Sequence, residues 1–254
     1  MSPNTYHIGL LVTCLVDLFR PTIAFASIQL LENAGCRVTV PLQQTCCGQP
    51  AYNNGDRDDT KKIAKQVIEA FESFDYTVIP SGSCAGMVVK HYPDLFKDDA
   101  DLFMRATHLS QRTYELVSFL VDVLNIKQVD ASYPHSITYH DSCAGLRELN
   151  IKEQPRQLLN TVRGIECREL TDSDVCCGFG GTFCLKYADI SNKIVTEKIN
   201  HIQSTKAHTL LAGDLGCLMN MAGKLQRSHT AVKVCHVAEV LAGMADGPGI
   251  GESE

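Results

Sequence analysis

No run of 18 apolar residues occurs in this 254-residue chain, so no segment is expected to cross a membrane as a helix. Positive charge is scarce as well. Lys plus Arg number 23 against 29 for Asp plus Glu, a formal net charge of −6 that argues against a nucleic-acid footprint or a basic membrane patch. Residues 1–7 contain no Lys or Arg, and Asp17 interrupts the apolar stretch behind them, so no secretory signal is expected. The common cofactor and nucleophile fingerprints are missing too. No Gly-x-Gly-x-x-Gly follows a predicted strand, and Gly178-Phe179-Gly180-Gly181 lacks the Lys-Ser/Thr ending of a phosphate loop. There is no Ser/His/Asp signature or paired-carboxylate motif. His7, His91, His108, His201, His208, His229 and His236 have no ligand-like spacing.

Against these absences stand 12 cysteines. A chain of this length, 44% hydrophobic, builds a core without disulfides, and a reducing compartment keeps thiols free. Metal or redox chemistry is the expectation. The cysteines repeat. Cys14, Cys46-Cys47-Gly48 and Cys84 in the first half correspond to Cys143, Cys176-Cys177-Gly178 and Cys217 in the second. The first gaps are 31 and 32 residues and the second 36 and 39. Gly35-Cys36-Arg37 precedes the first pair as Glu166-Cys167-Arg168 precedes the second, so the chain reads as a duplication.

Apolar patterning gives both halves one order of elements. Strands are expected at residues 8–13, 37–40 and 76–80, with helices opened by Pro21 and marked by Ile63, Val67, Ala70, Phe71 and Phe74. The second half repeats this with strands at 136–140, near 167 and at 209–212. Its helices run near 155–162 and through Ile190, Ile194, Ile199 and Ile202, with a further strand at 232–235 and a last helix at 236–244. Residues 95–130 are expected to hold two helices joining the halves, and the Gly- and acid-rich tail 247–254 to be disordered. The fold class is α/β: two tandem repeated domains with parallel sheets, related by a pseudo-twofold, at 1–130 and 131–254.

Each motif cysteine follows a strand, and sites in open parallel sheets form where the carboxyl-end loops converge. Cys14, Cys46, Cys47 and Cys84 should therefore gather at one site, and Cys143, Cys176, Cys177 and Cys217 at another. Four thiolates suit a [4Fe–4S] cluster, and zinc as the alternative. For adjacent cysteines to face one cofactor the backbone must turn sharply, which Gly48 and Gly178 permit through positive φ. Glycine N–H groups, those of Gly180 and Gly181 included, can also approach sulfur and tune a reduction potential. Cys36, Cys167 and Cys235 read as core residues and Cys184 as a bystander. A vicinal disulfide within either pair is possible but strained. His140 and Asp141 offer a proton relay or a contact behind the ligands, weighed against a plain strand-end hydrogen bond.

The two Cys-Cys-Gly motifs, each with an upstream and a downstream cysteine, resemble the cysteine-rich CCG-domain family. The likeness spans roughly residues 6–244. It is carried by Tyr139-His-Asp-Ser-Cys-Ala-Gly-Leu-Arg-Glu-Leu149, by Cys176-Cys-Gly-Phe-Gly-Gly-Thr-Phe-Cys184 and by His236-Val-Ala-Glu-Val-Leu-Ala242. The family includes the B subunit of heterodisulfide reductase and iron–sulfur subunits of glycolate and anaerobic glycerol-3-phosphate oxidation systems. The short two-motif members it resembles most imply a cytoplasmic iron–sulfur protein. Such a protein would act with a ferredoxin-like iron–sulfur subunit and a third subunit in oxidising L-lactate to pyruvate. Family motifs commonly end in Cys-x-x-Cys, whereas Ser81 and Asp214 stand three residues before Cys84 and Cys217 here. Each motif thus has four cysteines rather than the five that hold the non-cubane clusters of heterodisulfide reductase. An ordinary four-thiolate cluster fits that count, as does a site to which Ser81 or Asp214 gives oxygen. Three functions follow: an electron-carrying subunit, a thiol–disulfide catalyst, or a zinc-stabilised scaffold.

Overall fold

The computed structural model describes residues 5–252. Its chain divides into two compact units, Met1–Ile126 and Lys127–Glu254, each built on one four-stranded sheet. The first unit contains β1 (His7–Leu10), β2 (Arg37–Thr39), β3 (Tyr76–Ile79) and β4 (Thr113–Glu115) in the order β2-β1-β3-β4, all parallel. The second contains β5 (Ser136–Tyr139), β6 (Glu166–Cys167), β7 (Thr209–Ala212) and β8 (Lys233–His236) in the order β6-β5-β7-β8, again all parallel. The expected α/β duplication with parallel sheets is therefore present.

Parallel strands carry helices on their faces, so their residues are buried on both sides. Leu10, Val78 and Ile79 in the first unit and Leu210, Leu211 and Ala212 in the second are fully buried. Helix Thr22–Asn33 supplies Ile23, Ala26 and Leu31 to the first core, and helix Arg57–Phe71 adds Val67, Ile68 and Phe71. Helix Ala188–Ser204 supplies Val195, Ile199 and Ile202 to the second, and helix Leu215–Arg227 adds Leu218, Met221 and Leu225.

The structure departs from the sequence expectations in four places. Residues 95–130 hold more than two connecting helices. After helix Ala100–Ser110 the chain forms β4, then a short helix and a π-helical turn, Phe119–Val123. Three residues, Thr-Tyr-Glu, are too few and too polar to announce a strand, yet they pair with β3 as β8 pairs with β7. Cys167 is exposed rather than buried, because β6 is a two-residue edge strand. Helix Ala188–Ser204 is rotated from the isoleucine series: Ile190 is 55% exposed, while Ser191 and Lys198 face inward. Finally, the tail up to residue 252 is packed. Ile250 is buried and its N–H donates to the Val234 carbonyl at 2.7 Å. Residues 253 and 254 lie outside the described region.

Candidate metal centre

All eight motif cysteines lie in the segments beyond the carboxyl ends of strands. Cys14 and Cys143 open helices Cys14–Phe19 and Cys143–Leu149, the segments that follow β1 and β5. Cys84 lies in helix Gly82–Gly86 after β3, and Cys217 in helix Leu215–Arg227 after β7. The two pairs occupy irregular loops after β2 and β6. Ser81 and Asp214 are N-caps: the Cys84 N–H donates to Ser81 Oγ at 3.3 Å and the Cys217 N–H to Asp214 Oδ1 at 3.4 Å. Both side chains thus fix the helical turn that carries the last cysteine of each motif.

The glycine after each pair adopts the left-handed conformation, φ 82° at Gly48 and 83° at Gly178. That turn brings the Gly48 N–H to 3.4 Å from Cys46 Sγ and the Gly178 N–H to 3.3 Å from Cys176 Sγ. The carbonyl of the second cysteine is held in both units, by the Tyr92 hydroxyl at 2.9 Å from Cys47 O and by Asn220 Nδ2 at 2.9 Å from Cys177 O.

In the first unit Cys14 Sγ lies 3.7 Å from Cys46 Sγ, and Cys47 Sγ lies 3.2 Å from Cys84 Sγ. The second unit has matching contacts of Cys143 with Cys176 and of Cys177 with Cys217. None of the twelve cysteines is in a disulfide. The Cys14 and Cys47 thiols donating to Cys46, joined by the Gly48 N–H, pull Cys46 down to about 3. Contact with Cys143 and then with Cys177 pulls Cys176 down to about 2. Their neighbours move the other way. Cys14 and Cys47 rise through contact with Cys46, and Cys143 and Cys177 through contact with Cys176, with burial adding to each. Each cluster thus favours the thiolate at the first cysteine of its pair, and a metal held there would displace the protons of the others.

The second unit has three further features. His140 is fully buried beside the thiols, and one of its ring nitrogens and the Cys177 and Cys217 sulfurs lie within 4.8 Å of one another. Neither ring nitrogen has a hydrogen-bond partner among the described residues, so only its backbone makes the expected strand-end bond, to Leu211 O. Burial, then the Lys198 charge, depresses its imidazole to about 4, which leaves it neutral near pH 7. Asp141 is instead held by Arg156, with contacts of 2.9 and 3.0 Å, and Arg156 also grips Glu169 at 3.0 and 3.1 Å. Lys198 is fully buried and donates to the Asp172 carbonyl at 2.6 Å, pinning the loop that leads to Cys176. Lys198 and Arg156 gave no sequence signal as site residues. For Lys198 the trace was its place in the series Ser191, Val195, Lys198, Ile202, which shares one helix face.

The remaining four cysteines stay apart from these contacts. Cys36 and Cys235 are buried, Cys167 faces Asn160, and the Cys184 thiol donates to Gly181 O at 3.3 Å.

Duplicated parallel sheets with a clustered set of thiols in each unit define a cysteine-rich protein of metal-site type. Comparison with known proteins gives the family: the model of the cysteine-rich CCG domain matches residues 8–89 and 137–222, and the chain belongs to that family. Among curated relatives, lactate utilization protein A 2 of Bacillus cereus (strain Q1) is 46% identical over 92% of this chain and 97% of its own. Lactate utilization protein A of Geobacillus thermodenitrificans (strain NG80-2) is 48% identical over 92% of this chain and 98% of its own. Among solved structures, a hypothetical protein from Helicobacter pylori aligns with 99% of this chain at a TM-score of 0.60 and 12% identity. This chain covers 51% of that one, and the likeness concerns the fold alone. No helix among the described residues is long and apolar enough to cross a membrane.

Proposed function

We propose that this protein is the iron–sulfur subunit of a multi-subunit system that oxidises L-lactate to pyruvate, and that it carries electrons there. The observation that supports it most is the pair of thiol clusters, Cys14, Cys46, Cys47 and Cys84 in one unit and Cys143, Cys176, Cys177 and Cys217 in the other. The names of its curated relatives give the lactate assignment. The partners on this reading are a ferredoxin-like iron–sulfur subunit and a third subunit, in the cytoplasm.

The donor set fits such a group. Four sulfurs per unit, a glycine N–H on one of them and buried surroundings suit a thiophilic centre of negative charge. When bound, an iron–sulfur cluster supplies one-electron transfer. The chain's own residues orient the thiols through Ser81, Asp214, Gly48 and Gly178. They also keep water from Cys47 and Cys177, which are 3% and 2% exposed. L-Lactate is the substrate of the system as a whole.

One observation favours a second reading. The 3.2 and 3.7 Å sulfur separations approach the roughly 3.8 Å edge of a tetrahedron of thiolates about 2.3 Å from one zinc ion. A cluster, with each thiolate on a different iron, requires the thiols to spread. Anaerobic purification followed by iron, sulfide and zinc analysis and a visible spectrum separates the two. Iron and acid-labile sulfide with charge-transfer absorption support the cluster. Stoichiometric zinc, with no iron even after reconstitution, overturns it.

A further inference from the structure

The duplication allows the two sites to be compared position by position. Leu11 and His140 each stand three residues before the first cysteine of their motif. Each donates its backbone N–H to the equivalent strand, Leu11 to Val78 O at 3.0 Å and His140 to Leu211 O at 2.8 Å. They occupy the same place in the two units. The same holds one layer away. Gly48 packs against Thr60 and Ile63, and Gly178 against Ser191 and Ile194. Four residues beyond each isoleucine stand Val67 and Lys198, both fully buried. The first unit therefore has leucine and valine at the positions where the second has histidine and lysine.

A buried imidazole with both nitrogens unsatisfied costs stability, so it needs a compensating partner. Among the described residues no oxygen or nitrogen provides one. What lies within reach is sulfur, from Cys177 and Cys217. Neutral imidazole is a good ligand for both iron and zinc. We propose that His140, together with Cys177 and Cys217, ligates the centre of the second unit through a ring nitrogen. That centre is then a mixed nitrogen–sulfur site, and the centre of the first unit is bound by sulfur alone. The proposal rests on the reading that the thiols hold a metal centre.

The two centres then differ in charge. The second unit offers five donors for four positions, so His140 takes the place of one of its four thiolates. That centre is less negative by one charge than the all-thiolate centre of the first unit, and histidine in place of cysteine raises the potential of an iron–sulfur centre. Lys198, which acts electrostatically on Cys217 and on His140, adds in the same direction.

The test uses the full chain, reconstituted anaerobically with iron and sulfide and carrying ¹⁵N-histidine. After reduction, pulsed EPR of the wild-type protein should give a ¹⁵N coupling of the size of directly bound imidazole. His140→Leu, which installs the residue of the first unit, should abolish that coupling. It should also lower one reduction midpoint and leave the other unmoved. Absence of the coupling from wild-type protein overturns the assignment even if the variant fails to fold. So do a coupling that survives in His140→Leu and midpoints that do not move. If wild-type protein takes up no iron, the iron–sulfur reading fails by itself, and the ligand assignment is decided with zinc. There, His140→Leu should weaken one of two zinc sites tenfold or more, and unchanged affinity at both sites overturns it.

Discussion

At the residue scale, the glycine after each cysteine pair determines what the pair can do. Adjacent side chains in extended backbone diverge, and a left-handed residue is what folds the chain back so that an N–H meets the first sulfur. Alanine at position 178 would adopt φ 83° and place its Cβ 2.9 Å from the Ser191 carbonyl oxygen. Gly178→Ala should therefore cost about 1–3 kcal/mol and lower the melting temperature of the metal-free protein. It should also reduce metal uptake by one of two equivalents. The cysteines themselves separate by role. Cys47→Ser or Cys177→Ser should lose metal from one site, whereas Cys36→Ser should retain both; equal loss in all three, by metal analysis, would contradict the division. The motif cysteines were legible in the sequence because they recur with near-equal gaps and each adjacent pair is followed by a glycine. Lys198 was not, since a lysine in a helix reads as solvated surface unless its neighbours reveal the buried face. Nor was exposed Cys167, since a strand-like triplet does not say whether its strand lies at a sheet edge.

At the scale of elements, Arg156 ties two segments of the second site together. Its guanidinium bridges Asp141, in the loop between β5 and the helix of Cys143, to Glu169 beyond β6. Asp141 is 2% exposed, so removing its partner strands a buried carboxylate. Arg156→Ala should destabilise the second unit by about 3 kcal/mol or more. Asp141→Asn combined with it should cost less than the two changes summed, as denaturant unfolding of single and double variants would measure. The opposite end of the same sheet supplies a pH dependence. His208, just before β7, stacks on His135 with ring centroids 4.2 Å apart. Burial, then His135 and Lys233, hold its imidazole below the ordinary 6.5. The fold therefore favours neutral His208. Its contribution to stability is present above about pH 6.5 and is lost as pH falls below that value, where the unfolded chain binds more protons. His208→Gln should flatten thermal stability against pH in that range. Short strands with an uninterrupted apolar core, such as β7 with Leu210, Leu211 and Ala212, were plain from sequence. β4 was hidden because its place in the sheet comes from pairing with β3 and from the fold of the whole unit, with little local apolar signal.

At the scale of the whole molecule, duplication preserved the strand order while the linings diverged. Parallel order follows from strands alternating with helices, which is why the fold class could be read early. The lining of each site comes from residues far apart in sequence, such as His140, Lys198 and Asn220, and no local pattern assembles them. The tail expected to be disordered shows the same limit, since Ile250 finds its partner in β8 rather than in its own neighbours. That contact has a consequence for how molecules meet each other. β8 is the last strand of its sheet, and an open edge of backbone donors and acceptors invites strands from other chains. Ile250, bonded to Val234, occupies part of that edge. Ile250→Pro, which has no N–H to give, should free the Val234 carbonyl. Light scattering at rising protein concentration should then show stronger self-association than in the wild-type chain, because the tail covers part of the edge along which a neighbouring copy could continue the sheet.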